Sequence, residues 1–347
     1  MISGEVVAAA VAGAATAFLI AGVLLVWNRS RRAEAARAEV EVRPLLFEAL
    51  DRGELAPELL ASLTPVQRDA LDAQARSLLP KLRGKDRETL GRLLDLDGSV
   101  EAARRQSHSK RARTRARAGE FLGESGSPAV VRDVLVLLAD PDPQVRWSAA
   151  RALGRLGHTS ALSPLFASLE GPRPLPVDVV AEAVFQIRDC PMSLLRQGLR
   201  SRSVPTRAVA VELLGRFQAL AALDDVVAVL HGDPSVEVRA RAARALGRMG
   251  SPRAVDSLLA CLDEGPVAMR VQAVWALGEI GAPQAVPALR ALLVGPSRQM
   301  AEPAAVALAA MGEAGLRVLK HVSDGEGHSA AAATHALSAR GLAPSGL

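Results

Sequence analysis

The stretch that decides the fold is DPSVEVRARAARALGRMG, at residues 233–250. An aspartate and a proline open it, small and apolar residues recur at helical spacing through Leu246, and a glycine closes it. This is the pattern of one amphipathic helix with a turn on each side. The string returns with few changes as DPDPQVRWSAARALGRLG at residues 140–157, so the helix is one copy of a repeated unit.

The repeat extends over most of the chain. Eight apolar residues, which we call the anchor residues, hold one position in successive copies, 29 to 32 residues apart: Leu122, Leu153, Val184, Leu214, Leu246, Leu277, Leu308 and Leu337. A further apolar helix precedes each anchor-bearing helix, and such a short pair buries its apolar faces only against neighbouring pairs. The sequence therefore predicts an all-α fold, a right-handed α-solenoid of about eight helix pairs.

Both quoted strings resemble HEAT repeats, particularly the short kind found in phycobilisome-lyase-like proteins. The resemblance covers roughly residues 110–340 and implies the fold. It also implies a structural ladder in which an acidic residue precedes an arginine by six positions, and in which the arginines satisfy loop carbonyls and neighbouring acids. The matching pairs are Asp140/Arg146, Asp233/Arg239 and Glu264/Arg270, while Arg115 and Arg207 hold the same phase opposite Ser109 and Ser201.

Composition and motifs exclude several kinds of chemistry. The 347 residues include no tyrosine and 3% aromatics, which disfavours a β-rich fold. Two cysteines, Cys190 and Cys261, make neither a disulfide framework nor a four-ligand zinc site and are expected to be packing residues. His321, His328 and His335 are spaced by seven, but glycines interrupt any single helix there, so we expect solvated side chains.

No HExxH, GxSxG, CxxC or phosphate-binding glycine-lysine motif occurs. The sequence therefore predicts no catalytic, cofactor-binding or metal-ligating residue, and predicts that the chain is not an enzyme.

The segment Val6–Trp27 has no charged residue in 22 positions, long enough to span a bilayer as a helix. Arginines follow it and none precedes it, which predicts a single-pass membrane protein with the N-terminus outside and the HEAT domain in the cytoplasm. A stripe of small residues suited to helix packing in lipid recurs every fourth position: Ala9, Gly13, Ala17 and Ala21.

These features divide the chain into five predicted parts. A transmembrane helix at residues 1–27 is followed by a helical linker at 28–43, an amphipathic helical region at 44–103, the repeat solenoid at 104–340 and a flexible tail at 341–347. Pro44 is expected to open a new element, and a helix is expected at Asp86–Leu96. Thr64 and Gln67 predict a capping box at the start of another helix.

Positive charge is local. The whole chain carries a net charge of +5, yet residues 104–118 hold seven basic residues and no acid, so the rest of the chain is net negative. We call these seven the basic segment: Arg104, Arg105, Lys110, Arg111, Arg113, Arg115 and Arg117. Three explanations stand open: contact with anionic lipid at the cytoplasmic leaflet, a docking patch for a protein, and nucleic-acid binding, which the lack of interleaved aromatics disfavours.

A binding face is expected on the anchor-bearing helices, because positions two before and two after each anchor project from them. Arginine and tryptophan, the types enriched at binding hot spots, cluster there. The predicted partner-binding residues are Arg151, Arg155, Arg216, Arg244, Arg248 and Trp275, with Arg241 and Trp147 nearby. Glu182, Glu212 and Glu279 share the face.

The sequence thus predicts a membrane-tethered scaffold or adaptor that binds a protein partner, such as a membrane enzyme of the glycosyltransferase kind. The alternative is a HEAT-fold enzyme or nucleic-acid-binding protein, either lyase-like or glycosylase-like.

Overall fold

The computed structural model describes residues 29–53, 57–79, 81–82, 84–96 and 98–342, and these residues form helices and turns without any strand. The chain divides into two compact units, the first ending at Leu156 and the second beginning at Gly157. The all-α prediction is confirmed for the described residues, and from residue 99 onward helix pairs stack in a solenoid-like arrangement within each unit.

Eight helices make up the described part of the first unit. They are α1 (29–52), α2 (Pro57–Ser62), α3 (Pro65–Leu78), α4 (Gly84–Leu96), α5 (Ser99–Ser107), α6 (Ala112–Ser125), α7 (Val131–Leu137) and α8 (Pro143–Leu156). The capping box forms as predicted: the Gln67 amide donates to Thr64 Oγ1 at 3.3 Å, and the Thr64 amide donates to Gln67 Oε1 at 2.9 Å.

The helix α1 continues through Pro44, where the sequence predicted a new element. Its buried residues Ala38, Val42 and Leu46 form one apolar stripe that passes the proline without a break. Pro44 itself lies on the exposed side, where water can satisfy the carbonyl that loses its amide partner. Burial of a continuous stripe therefore outweighs the local helix-breaking tendency of proline.

Six helix pairs make up the described part of the second unit. They are α9 (Leu162–Ala167) and α10 (Val177–Gln186), α11 (Met192–Leu199) and α12 (Val204–Arg216), α13 (Leu223–Gly232) and α14 (Val236–Met249), α15 (Val255–Glu264) and α16 (Val267–Ile280), α17 (Val286–Val294) and α18 (Arg298–Ala310), and α19 (Gly312–Ser323) and α20 (His328–Ser338). A short 3-10 turn leads into α9, α13, α15 and α17, as it does into α7 of the first unit.

The anchor-bearing helices, which we call the second helices, are α6, α8, α10, α12, α14, α16, α18 and α20. All eight anchor residues are buried, with at most 1% exposure. The residue after the anchor is often glycine, and this lets the next second helix approach closely. A Cβ at Gly215 would stand 2.6 Å from the Ala245 Cα, and one at Gly247 would stand 2.7 Å from the Ala276 Cα. Close contacts between helix backbones thus occupy space that aromatic side chains, only 3% of this sequence, do not fill.

The arginine ladder joins neighbouring repeats. Arg207 donates from Nε and Nη2 to the two carboxylate oxygens of Asp233 at 2.7 and 3.0 Å, and its Nη1 donates to the Ser201 carbonyl at 3.0 Å. In the first unit Arg115 binds Asp140 in the same two-pronged way, at 2.6 and 2.8 Å.

The ladder arginines bind loop carbonyls and neighbouring acids, as expected. Arg146 and Arg239 donate to the backbone carbonyls of Asp140 and Asp233, at 2.9 and 2.8 Å, and leave the carboxylates to the arginine of the preceding repeat. The remaining pair includes the side chain of Glu264, which lies outside the described part of the structure.

Within the described residues, no helix is long and apolar enough to cross a membrane. The predicted localisation, a single-pass membrane protein with a cytoplasmic repeat domain, is contradicted by this finding. The segment Val6–Trp27 itself, with Ala9, Gly13, Ala17 and Ala21, lies outside the described residues. The expectation of a membrane-bound partner and of contact with the cytoplasmic leaflet rested on that segment.

Candidate protein-binding face

A buried carboxylate organises the second helices of the second unit. Glu212 lies on α12 with a side-chain exposure of 8%, and Arg244 and Arg248 on α14 each donate to one of its oxygens. Arg241, three residues before Arg244, places Nη1 3.8 Å from the same carboxylate. Because residues three and four apart share one side of a helix, α14 directs three arginines at one acid.

The cluster is ionised and largely neutralised from within. Burial alone would raise the pKa of Glu212, but hydrogen bonds from Arg248 and Arg244 bring its pKa below the ordinary value. Arg241 also contacts the carboxylates of Asp178 and Glu237, at 3.1 and 3.3 Å. The arginines are therefore held in defined positions, and little of their charge is free for an outside anion.

An aromatic pair stands beside this cluster. Phe185 on α10 occupies the position after the anchor, where the next three second helices carry glycine. The Arg216 guanidinium carbon lies 3.9 Å from the centre of the Phe185 ring, and the Phe217 ring centre lies 5.2 Å from it. Arg216 also donates to Glu182 at 2.7 Å. The Arg216 guanidinium thus stacks on the Phe185 ring, and the Glu182 carboxylate holds the guanidinium in that position.

A groove of about 550 Å³ opens at the C-terminal ends of α10, α12, α14 and α16. Its lining residues are Phe185, Gly215, Arg216, Gln218, Gly247, Arg248, Gly250 and Glu279. Three of these lining residues are glycines, which present only backbone to the groove. Glu279 is exposed at the rim and makes no ion pair with the described part of the chain. The groove therefore offers an aromatic surface, two arginines tied to acids, and one carboxylate open to a partner.

The predicted partner-binding residues divide between the two units. Arg216, Arg241, Arg244 and Arg248 come together around Glu182 and Glu212, as described above. Trp275 lies on the next second helix, α16, and is 42% exposed. In the first unit, Trp147 is 43% exposed and Arg151 lies 3.6 Å from Glu120. Arg155 is partly buried.

The basic segment divides into structural and exposed members. Arg115 belongs to the ladder, and Arg104 donates to Asp133 at 2.9 Å. Arg105 is exposed and only 3.9 Å from Glu101. The other four members are exposed and form no ion pair with the part of the chain that the structure describes: Lys110, Arg111, Arg113 and Arg117.

The cysteines and histidines are placed as packing and surface residues. Burial raises the pKa of the Cys190 thiol to about 11 and also raises the pKa of Cys261, whose Sγ donates to the Ser257 carbonyl at 3.2 Å. His321 and His335 are exposed, and His328 contacts the Gly295 carbonyl at 3.1 Å. No cluster able to hold a metal ion occurs among the described residues.

Sequence reasoning did not single out two features of this face. Phe185 breaks the glycine pattern of its neighbours, which was a visible signal in the repeat alignment. Glu212 was grouped with solvent-facing acids, yet Arg244 and Arg248 follow it by about one repeat length. Opposite charges one repeat apart indicate a pair across neighbouring second helices.

The HEAT-repeat family model matches residues 100–184 and 192–270, and the model of the PBS lyase HEAT-like repeat matches residues 269–295. No curated protein sequence matches the chain. Several solved structures resemble it in fold. Human deoxyhypusine hydroxylase, solved with glycerol, is 20% identical, with 78% of this chain and 96% of that chain covered and a TM-score of 0.30.

The complex of CpcE and CpcF of phycocyanin lyase, from a Nostoc species, is 22% identical over 64% of this chain and 92% of that chain, with a TM-score of 0.34. Kap95p, in a structure with RanGDP, is 12% identical over 81% of this chain and 45% of that chain, with a TM-score of 0.47. At these identities the likenesses describe the fold alone.

The prediction that the chain is not an enzyme is contradicted by the first two of these structures. Both are named as enzymes, a hydroxylase and a lyase, and both resemble this chain in fold. Fold and activity are separate properties, so the lack of familiar catalytic motifs does not exclude catalysis.

Proposed function

We propose that this chain, which belongs to the HEAT-repeat family, binds a protein partner along the second helices of its second unit, with the groove beside Phe185 as the central contact. The observation that carries the proposal is the groove itself, about 550 Å³ in volume, in which an aromatic ring, two tethered arginines and the free carboxylate of Glu279 converge. Extended surfaces of this kind are the usual binding sites of helical repeat proteins.

The ion pairs of the face favour binding because they hold its side chains in place. Association normally costs free energy for each long side chain that becomes ordered, about 0.5–1.5 kcal/mol. Arg216 and Arg248 are already fixed by Glu182 and Glu212, so less of this cost remains. Phe185, Phe217 and Trp275 supply apolar and aromatic area, which is the chemistry of interface hot spots.

The experiment is site-specific crosslinking in cells of the source organism. A photo-crosslinking residue placed at Glu279 should give a discrete adduct with one protein. The matched control has the same residue at Val294, which is 52% exposed on α17. This helix is not one of the second helices, so the control should not give that adduct.

The Phe185→Ala change in the Glu279 crosslinking background should then reduce the adduct, while the circular dichroism of the chain stays unchanged. Equal adducts from Glu279 and Val294, or an adduct that persists when Phe185 is changed, would show that the groove is not the contact.

A further inference from the structure

Four exposed members of the basic segment carry positive charge that no acidic side chain of the described residues neutralises through an ion pair. Lys110, Arg111, Arg113 and Arg117 lie on the turn before α6 and on the first half of that helix. The other three members of the basic segment lie near carboxylates: Asp140 for Arg115, Asp133 for Arg104 and, at 3.9 Å, Glu101 for Arg105. Folding therefore accounts for part of the segment and leaves four exposed cations unexplained.

Their placement is unfavourable for the helix that bears them. Arg113 and Arg117 stand one turn apart on the same side of α6, where like charges repel by a few tenths of a kcal/mol. The helix begins without an acidic residue in its first turn and without a side-chain cap, and Arg111 occupies the cap position. Cations at a helix N-terminus oppose the helix dipole. An external anion would relieve both effects.

We propose that these four cations form a docking surface for an acidic segment of a partner protein. The surface lies in the first unit, while the groove lies in the second, and the two proposals do not depend on one another. Arg113 and Arg117 are separated by about 6 Å of helix rise. Alternate residues of an extended chain lie about 6.6 Å apart on one face. Aspartates or glutamates at alternate positions of an extended segment therefore match the spacing of the arginines.

Two other anionic partners fit the surface less well. Membrane-surface helices insert large apolar side chains between their cations, and residues 104–118 contain no large apolar side chain. Single-stranded nucleic acid is held by aromatic side chains that stack on the bases, and this stretch has none. The positive strip is also short, because Glu120 and Glu124 follow Arg117 on the same helix.

The test compares three anionic probes on the full chain. The first is a fluorescent peptide of about 12 residues that alternates Glu and Ser, which is about 40 Å long when extended. The second is a vesicle containing phosphatidylserine, and the third is a single-stranded oligonucleotide. Binding is measured at ionic strengths of about 0.05 M and about 0.15 M, because exposed charges are screened beyond roughly 10 Å in that range.

The diagnostic variant is Lys110→Gln, Arg113→Gln and Arg117→Gln together. The matched control removes the same charge from the second unit through Arg173→Gln, Arg200→Gln and Arg202→Gln, which are exposed and have no ion pair among the described residues. The diagnostic variant should bind the peptide about tenfold more weakly than wild type, equivalent to about 1.4 kcal/mol. The control should bind like wild type, and neither variant should have a lowered thermal midpoint.

Three results would overturn the proposal. Equal loss of peptide binding in both triple variants would mean that net charge alone is sensed. Tighter binding of the vesicle or the oligonucleotide than of the peptide at the same ionic strength would assign the surface to lipid or nucleic acid. A lowered midpoint in the diagnostic variant would make the cations structural.

Discussion

Replacing Asp233 by asparagine should lower the free energy of unfolding by about 3 kcal/mol at neutral pH. Asp233 and Arg207 have side-chain exposures of 4% and 10%, so the pair is shielded from water. Asparagine keeps the size of the side chain and an acceptor for the Ser235 amide, which lies 2.8 Å away. It removes the negative charge and one of the two acceptors of Arg207, and the guanidinium is left buried without a counter-ion.

The pH dependence provides an internal check. Burial alone would raise the pKa of Asp233, but the hydrogen bonds from Arg207 and the Ser235 amide bring its pKa below the ordinary value. A carboxyl with a lowered pKa in the folded state stabilises the protein above its unfolded-state pKa, and the contribution is lost as the pH falls through the folded-state pKa. The difference in the free energy of unfolding between wild type and Asp233→Asn should therefore become smaller at low pH.

The assay is urea unfolding of the full chain, with hydrogen exchange of α12 and α14 to follow the second unit separately. Asp224→Asn is the matched control, because Asp224 pairs with Arg253 at 2.9 Å while both side chains are more than two-thirds exposed. Exposed pairs of this kind contribute about 0–1 kcal/mol to the free energy of unfolding. The reasoning fails if Asp233→Asn is no more destabilising than the control, or if its effect is unchanged at low pH.

Three further predictions concern packing and reactivity. Leu246→Ala should lower the free energy of unfolding, measured with denaturant, by about 2–5 kcal/mol, because Leu246 is fully buried and its removal leaves a cavity. A loss below about 1 kcal/mol would contradict the assignment of Leu246 as a buried anchor residue. Gly247→Ala should cost about 1–3 kcal/mol, because its Cβ would meet the backbone of the next second helix, whereas Gly232→Ala has no neighbour within 4 Å and should be neutral or stabilising. Burial raises the pKa of the Cys190 thiol to about 11, so little of it is thiolate at pH 8. We therefore expect Cys190 to be alkylated about a hundredfold more slowly than an ordinary thiol, as measured by mass spectrometry. An ordinary rate would show that the thiol is open to water.

Local sequence was enough to predict the helix pairs. The anchor residues recur at one period, and each one is buried, because every repeat packs the same position against its neighbours. The capping box of Thr64 and Gln67 was equally predictable from the sequence, since both residues lie within one helical turn. What depends on a few neighbouring residues, or on a strict period, is visible in the chain itself.

Contacts between repeats were harder to predict. The ladder arginines were expected to bind loop carbonyls and neighbouring acids, but the sequence did not show which acid each arginine reaches: Asp233 binds Arg207, 26 residues earlier. Arg207 lies on α12 and Asp233 on the turn before α14, so this pair forms only once neighbouring repeats stack. Glu212 was mistaken for a solvent-facing acid for the same reason, because its burial comes from α14, a full repeat away.

Salt separates the two proposed surfaces by mechanism. At the groove, Arg216 and Arg248 already have partners in Glu182 and Glu212, and Glu279 is the one lining charge left open to a partner. Binding there depends mainly on burying the Phe185 ring and neighbouring apolar area, so added salt weakens it only slightly. The exposed cations of the basic segment have no such partners, and the affinity of an acidic segment for them must fall as ionic strength rises. A partner that contacts both surfaces should therefore lose part of its affinity in salt and then reach a plateau. Phe185→Ala should lower that plateau, and the triple glutamine variant of the basic segment should remove the salt-dependent part.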